Sequence, residues 1–311
     1  MNRIDDINEL INRDPKYSIF RNNDFINKYK LEFKDKNFKS IGFKYDGILT
    51  PETTLNALCS IFNIQNKESF EESFKEVISG DGKELINMLT LHSSSLCALL
   101  HFFNVNEHPI TITIDGDNYK FDEVHFEIKN TVFTRPSNMD VVLIAHNNPA
   151  ILFLESKFSE YLKNSDESVS VRYLRERDFI DTLDWIERNV SKKDHVYIGG
   201  LKQFLAHYIG ISHFVNDIEY SYHANEPSKR RVHDFYNTNN PKIFLQEIIF
   251  NLDDKKCDAY KCHLSKMIDN IHKYRDEPKI TVLNPITYQE FFEHANVNSV
   301  LCKNVKEFYK Y

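Results

Sequence analysis

An aspartate, a glutamate and a lysine stand where two apolar runs meet: Asp140, Glu155 and Lys157, within PSNMDVVLIAHNNPAILFLESKFSEYL, residues 136–162. Val141–Ala145 and Ile151–Leu154 are short aliphatic runs bounded by turn formers. That pattern predicts buried strands rather than a helix. His146-Asn147-Asn148-Pro149 between them is turn chemistry. A symmetric turn with an even number of residues sets Ala145 against Ala150, and the same register sets Asp140 against Glu155. Cross-strand partners have Cβ atoms roughly 4.5–5.5 Å apart. Glu155 and Lys157 are two apart on one strand and share a face. Two carboxylates this close repel, and burial raises the cost. A divalent cation between them removes both problems. Hard oxygen ligands suit Mg²⁺, or Mn²⁺ in its place, and Mg²⁺ takes only one or two carboxylates and keeps several waters. A lysine beside such a site stabilises charge or orients an attacking water.

The spacing by itself selects nothing. Acid-x-Lys recurs at Asp14/Lys16, Glu32/Lys34, Asp81/Lys83, Glu127/Lys129, Asp253/Lys255, Asp254/Lys256 and Glu277/Lys279. Context separates Glu155/Lys157 from these: an apolar strand leads in, and a hairpin partner brings an aspartate opposite. Only Glu127/Lys129, in VHFEIKN, also falls on a strand pattern. Glu127 is either a third acid facing the site or the partner of Lys129. The competing reading of Asp140, Glu155 and Lys157 is a solvated salt bridge at a strand end. Spacing and context leave both readings open.

Pro136…Asp140 followed by Glu155-Ser156-Lys157 resembles the PD-(D/E)XK nuclease motif, although Pro136 is not adjacent to Asp140. Five stretches resemble a bacterial family of restriction endonucleases of the type II-like kind with this core. They are GDGKEL (80–85), HSSSLCALLHFFN (92–104), FLESKFSEYL (153–162), GGLKQFLAHYIGI (199–211) and TYQEFF (287–292). FLESKFSEYL is the most specific of them and TYQEFF the least. The resemblance implies a restriction-endonuclease-like α/β core, a mixed central sheet flanked by helices. It implies Mg²⁺-dependent hydrolysis of DNA phosphodiester bonds, with Mn²⁺ as a substitute. Asp140 and Glu155 would hold the metal, and Lys157 would act beside it. Glu84 would supply an acid from a helix before the sheet, and Gln203 would support the site from a helix after the hairpin. As bare residues, Glu84 is a first-turn acid favoured by the helix dipole, Gln203 an exposed helix glutamine and His207 a packed or surface histidine. The implied partner is double-stranded DNA, with a homodimer by analogy to other DNA-cutting enzymes of the fold. The rival from another class is a non-catalytic nucleic-acid-binding module on the same fold. The blandest is an interaction protein with surface salt bridges.

The chain has 311 residues, 41% hydrophobic and 27% charged, which fits a globular protein of one large or two small domains. The division expected is a helical portion over 1–80 packed on a nuclease-like domain over 81–311, or one continuous domain. No run reaches the ~18–20 apolar residues of a membrane span. The polar start MNRIDDINEL is not a secretory signal. Five scattered cysteines favour free thiols and a cytoplasmic location over a disulfide framework. Cys257, Cys262 and His263 lack paired zinc spacing and read as helix residues. The net charge of −7 counts against phosphate binding overall but not against a local basic surface. Candidates are Arg172, Arg175 and Arg177, and the better-placed Lys229, Arg230 and Arg231, where Pro227 and Ser228 suggest a loop.

The elements that must position these residues follow from periodicity. Helical spacing marks Ile4–Ile11. Thr50-Pro51-Glu52 starts a helix with Thr as N-cap and Pro at the first position, and another helix spans 67–78. A long apolar helix is expected over 83–103, with Ser93–Ser95 in its middle. Ile110–Ile114 and Tyr119–Phe121 around a D-G turn form a hairpin that continues through 123–131. Asp115 and Asp117 lack the later ligands of a calcium loop. An amphipathic helix is expected around Phe179–Asn189, and one over 199–209 is expected to end at Gly210 as C-cap. A strand over 242–250, a helix over 258–274, a strand over 279–283 and a final helix over 288–294 complete an α/β sandwich.

Overall fold

The structure is a computed structural model. It describes residues 3–15, 17, 43–44, 48–49, 51–79, 85, 88, 93–132, 136–162, 198–217, 227–274, 277–294 and 303–310. The elements run α1 (Arg3–Arg13), β1 (Phe43–Lys44), β2 (Ile48–Leu49), α2 (Pro51–Phe62), α3 (Lys67–Ile78) and α4 (Ser94–Phe102). Then come β3 (Ile110–Ile114), β4 (Asp117–Thr131), β5 (Pro136–Ala145), β6 (Ala150–Lys157), α5 (Ile198–Val215) and α6 (Pro227–Asn239). The chain finishes with β7 (Lys242–Ile249), α7 (Asp254–Tyr274), β8 (Ile280–Val282), β9 (Ile286–Thr287), α8 (Tyr288–His294) and α9 (Lys303–Tyr309).

One seven-stranded sheet organises the molecule, in the order β3-β4-β5-β6-β7-β8, with β9 also paired to β7. β3 to β6 form an antiparallel meander, and β7 joins β6 in parallel after the helical connection. This is the mixed α/β, restriction-endonuclease-like core that was expected. Helices cover both faces, which is why β6 and β7 are nearly continuous apolar runs rather than alternating ones. One core holds Val141, Leu143, Leu152 and Leu154 against α2, α3, α4 and α9. The other holds Val142, Ile144, Ile151 and Phe153 against α5 and α7.

The central hairpin has the register read from the sequence. Ala145 pairs with Ala150, and the ladder continues to Val141 with Leu154. The next step outward is Asp140 beside Glu155. At the β3–β4 turn, Asp115 has φ 53° and Gly116 φ 87°, the left-handed pair that a two-residue D-G hairpin requires.

Three expectations are corrected. The helix predicted over 83–103 is not continuous: Leu85 and Met88 are helical, but Ser93 is extended and begins a separate helix, Ser94–Phe102, where Ser93 Oγ accepts from the Leu96 amide at 2.9 Å as N-cap. Gly210 does not end its helix. α5 runs on to Val215, and Gly210 lies where a Cβ would meet the Asn130 Cβ at 2.9 Å, so it serves close helix–sheet contact. The supposed loop at 227–231 is the start of α6, with Pro227 at the first helical position, where its missing N–H costs nothing. Glu84, the expected helix at 179–189 and the arginines at 172, 175 and 177 lie outside the described residues.

Candidate active site

The outward end of the hairpin carries Asp140 on β5 and Glu155 and Lys157 on β6. Asp140 is half-buried, whereas Glu155 and Lys157 are buried. The Ser156 amide donates to Asp140 Oδ2 at 2.7 Å, which fixes the aspartate against the neighbouring strand. The Lys157 ammonium makes a very short contact with Glu155 Oε1 and donates to Gln203 Oε1 at 2.9 Å. The four residues Asp140, Glu155, Lys157 and Gln203 therefore meet. Gln203, on α5, is the exposed member of the four, whereas Glu155 and Lys157 are closed off from solvent.

Three further residues complete the group. His207, one turn beyond Gln203 on α5, is buried, with Nε2 2.7 Å from Glu155 Oε2. Those two atoms are close but not aligned as a hydrogen bond. On its other side, His207 Nδ1 makes a very short hydrogen bond with Ser137 Oγ on β5. Glu247 on β7 pairs directly with Glu155 in the parallel ladder and is fully buried. Glu127 on β4 is buried and has φ 53°, a left-handed conformation rare for a non-glycine residue within a strand. The ladder pairs Phe126 with Val141 and Ile128 with Met139, and Glu127 and Asp140 lie between these two rungs. Backbone strain of this kind concentrates at functional sites.

The electrostatics follow from an excess of acid. Burial, then the carboxylates of Glu155 and Glu127, push Asp140 well above the usual aspartate range. Burial alone would raise Glu155 as well, but His207 and Lys157 hold it down at about 2. Burial opposes the charge on Lys157, yet Glu155, Glu247, Glu160 and Asp140 together raise it. Burial pushes Glu247 up to about 8 in spite of Lys157. The site thus holds an anionic Glu155 locked to a cationic Lys157, beside two carboxyl groups reluctant to ionise.

The basic trio on α6 stands differently. Lys229 is buried, and the Arg231 guanidinium grips Glu123 through two contacts of 2.8 and 2.9 Å. Arg230 and Arg231 are both exposed on this helix. Cys257, Cys262 and His263 are, as read, helix residues: Cys257 is buried, and Cys59, Cys97, Cys257 and Cys262 are free thiols. His207 was not picked out as a member of the site. Its signal was the QxxxH spacing on α5, which puts Gln203 and His207 on one helical face.

Among the described residues no helix is long and apolar enough to cross a membrane. No curated protein and no solved structure matches the chain. A family model does, over residues 19–310, and its description is Restriction Endonuclease associating with ARP. That span holds every residue of the site and nearly the whole sheet-and-helix framework around it, so the chain belongs to this restriction-endonuclease family.

Proposed function

We propose that the chain is a divalent-metal-dependent endonuclease of the PD-(D/E)XK type, which hydrolyses DNA phosphodiester bonds in a restriction or defence role. One observation carries the reading. Asp140, Glu155 and Lys157, distant or unremarkable in sequence, converge at one end of a buried hairpin, with Gln203 on the lysine. Double-stranded DNA is the substrate class, and Mg²⁺ or Mn²⁺ the metal.

The residues fit such a cation. Asp140 and Glu155 are hard oxygen donors on adjacent strands, and after burial it is their mutual repulsion, with Glu127, that lifts Asp140. A cation would remove that repulsion. Among the described residues no group of three or more histidine, cysteine or acidic side chains is arranged to hold a metal. A Mg²⁺ ion, held by one or two carboxylates and its own waters, does not need one. Bound here, it would supply Lewis acidity toward a phosphate oxygen. The chain's own groups do the rest. Glu155 stays anionic at any physiological pH because His207 and Lys157 hold it so. Lys157 stays cationic and, steered by Gln203, stabilises charge building on the scissile phosphate.

The test is cleavage of supercoiled plasmid and of unmethylated genomic DNA with Mg²⁺ or Mn²⁺, against EDTA. Asp140→Asn, Glu155→Gln and Lys157→Ala are each expected to lower cleavage by at least ~10²–10³-fold, the scale of a lost transition-state contact, with circular dichroism unchanged. Full activity in any of the three overturns the assignment.

A further inference from the structure

α5 and β6 meet with matched spacing. Gln203 and His207 are four residues apart on the helix, a rise of about 6.0 Å. Lys157 and Glu155 are two residues apart on the strand, a rise of about 6.6 Å. The contacts run in opposite senses, Gln203 on Lys157 and His207 on Glu155. One helical face therefore engages the Glu-x-Lys pair at both ends. His207 is further held from behind, where Ser137 meets its Nδ1. Ser137 stands on β5, the strand that carries Asp140, so the ring is braced by one strand of the site and directed at the other. Gly210 seats the helix: a Cβ there would meet the Asn130 Cβ at 2.9 Å and the Ser137 Cβ at 3.6 Å.

Glu155 consequently has a neighbour beside each oxygen, Lys157 bonded to Oε1 and the His207 ring 2.7 Å from Oε2. A carboxylate confined on both sides cannot rotate freely about its last torsion, and it offers a cation one orientation. Removing His207 frees one oxygen and leaves Lys157 as the remaining brace. Groups that orient a ligating carboxylate contribute 10–100-fold to metal affinity in other metal sites.

We propose that His207, braced by Ser137, is a positioning residue that sets the Glu155 carboxylate for divalent-cation binding. The inference rests on the metal-dependent reading above. Calorimetric titration of the full chain with Mn²⁺ alone, without DNA, separates the two. If the wild type binds no Mn²⁺, both the metal-dependent reading and this inference are overturned. If the wild type binds and Glu155→Gln does not, the site is located, and the His207 variants then decide. His207→Ala is expected to weaken Mn²⁺ binding about tenfold or more, at an unchanged fold by circular dichroism. His207→Gln, whose amide can donate toward Glu155, is expected to recover most of the loss. Ser137→Ala, which leaves the Glu155 contact untouched, is expected to give a smaller loss and keeps the test open if His207→Ala fails to fold. Unchanged or tighter Mn²⁺ binding in folded His207→Ala overturns the proposal. So does failure of His207→Gln to recover any affinity, or, where His207→Ala does not fold, wild-type affinity in Ser137→Ala.

Discussion

Glu155 and Glu247 are direct neighbours on parallel strands, both fully buried, yet they respond to burial in opposite ways. Glu155 touches a cation and a histidine and is held at about 2. Glu247 lacks a comparable contact and is pushed to about 8. The consequence for stability has a definite sign. Between the ordinary glutamate value, about 4.3, and about 8, the folded protein keeps a proton on Glu247 that the unfolded chain has released. Stability in EDTA is therefore expected to fall as pH rises through that window, by up to ~1.4 kcal/mol per pH unit for one proton. Glu155 contributes in the other direction: its stabilisation is present above its unfolded value and is lost as pH falls toward about 2. Urea midpoints between pH 5 and pH 8 should show a downward slope that Glu247→Gln flattens. An equal slope in wild type and variant would rule out Glu247 as its source.

At the scale of elements, the site depends on how closely α5 lies on β4 and β5. Helix propensity alone makes Gly210→Ala stabilising by ~0.5–1 kcal/mol. The structure reverses that expectation, because the new methyl would sit 2.9 Å from the Asn130 Cβ. That atom is rooted in a strand and cannot move aside cheaply. Gly210→Ala is therefore expected to cost ~1–3 kcal/mol, the range for overpacking, read from the shift in urea midpoint. It should also lower cleavage by tenfold or more, since Gln203 and His207 ride on the same helix and small displacements at a catalytic site are costly. A variant at least as stable as wild type would show that α5 has room to spare.

At the scale of the molecule, the sheet must hold helices from both ends of the sequence. A second polar cluster joins them. Glu123 on β4 binds Arg231 of α6 and His125 beside it, while Glu76 of α3 reaches His125 and accepts from the Phe126 amide at 2.8 Å. A register shift between Phe121 and Glu123 interrupts the ladder here. Burial would lower His125, but Glu123 and Glu76 lift it to about 9. The stabilisation from this histidine is thus complete below its ordinary value of about 6.5 and is lost as pH rises through about 9. Glu123→Ala is expected to lower global stability by ~2 kcal/mol, the scale of losing hydrogen bonds to a charged group, with cleavage by the folded fraction unchanged. Calorimetry and the plasmid assay together check this. A variant of wild-type stability would show the cluster to be a solvated surface feature.

The sequence by itself determined the local outcomes. The hairpin register followed from an even turn between two apolar runs, and it carried Asp140 to Glu155 without any tertiary information. The bounds of α3, Lys67–Ile78, and of α8, Tyr288–His294, followed from periodicity and breakers. Tertiary structure decided what depends on contacts between distant segments. Gly210 reads as a helix stop until the strand beneath it is known. Lys229 reads as a surface cation until the fold buries it, and Arg231 meets Glu123, 108 residues away in sequence. His207 is an ordinary packed histidine until Glu155 is its neighbour. Glu247 carries no signal within KIFLQEII, because only the parallel pairing of β6 with β7 brings it beside Glu155. Spacing along a strand or helix is set by backbone geometry and can be read from one segment. Which side chains share a low-dielectric space is set by how segments pack, and that pairing fixes the charges, and hence the chemistry, at this site.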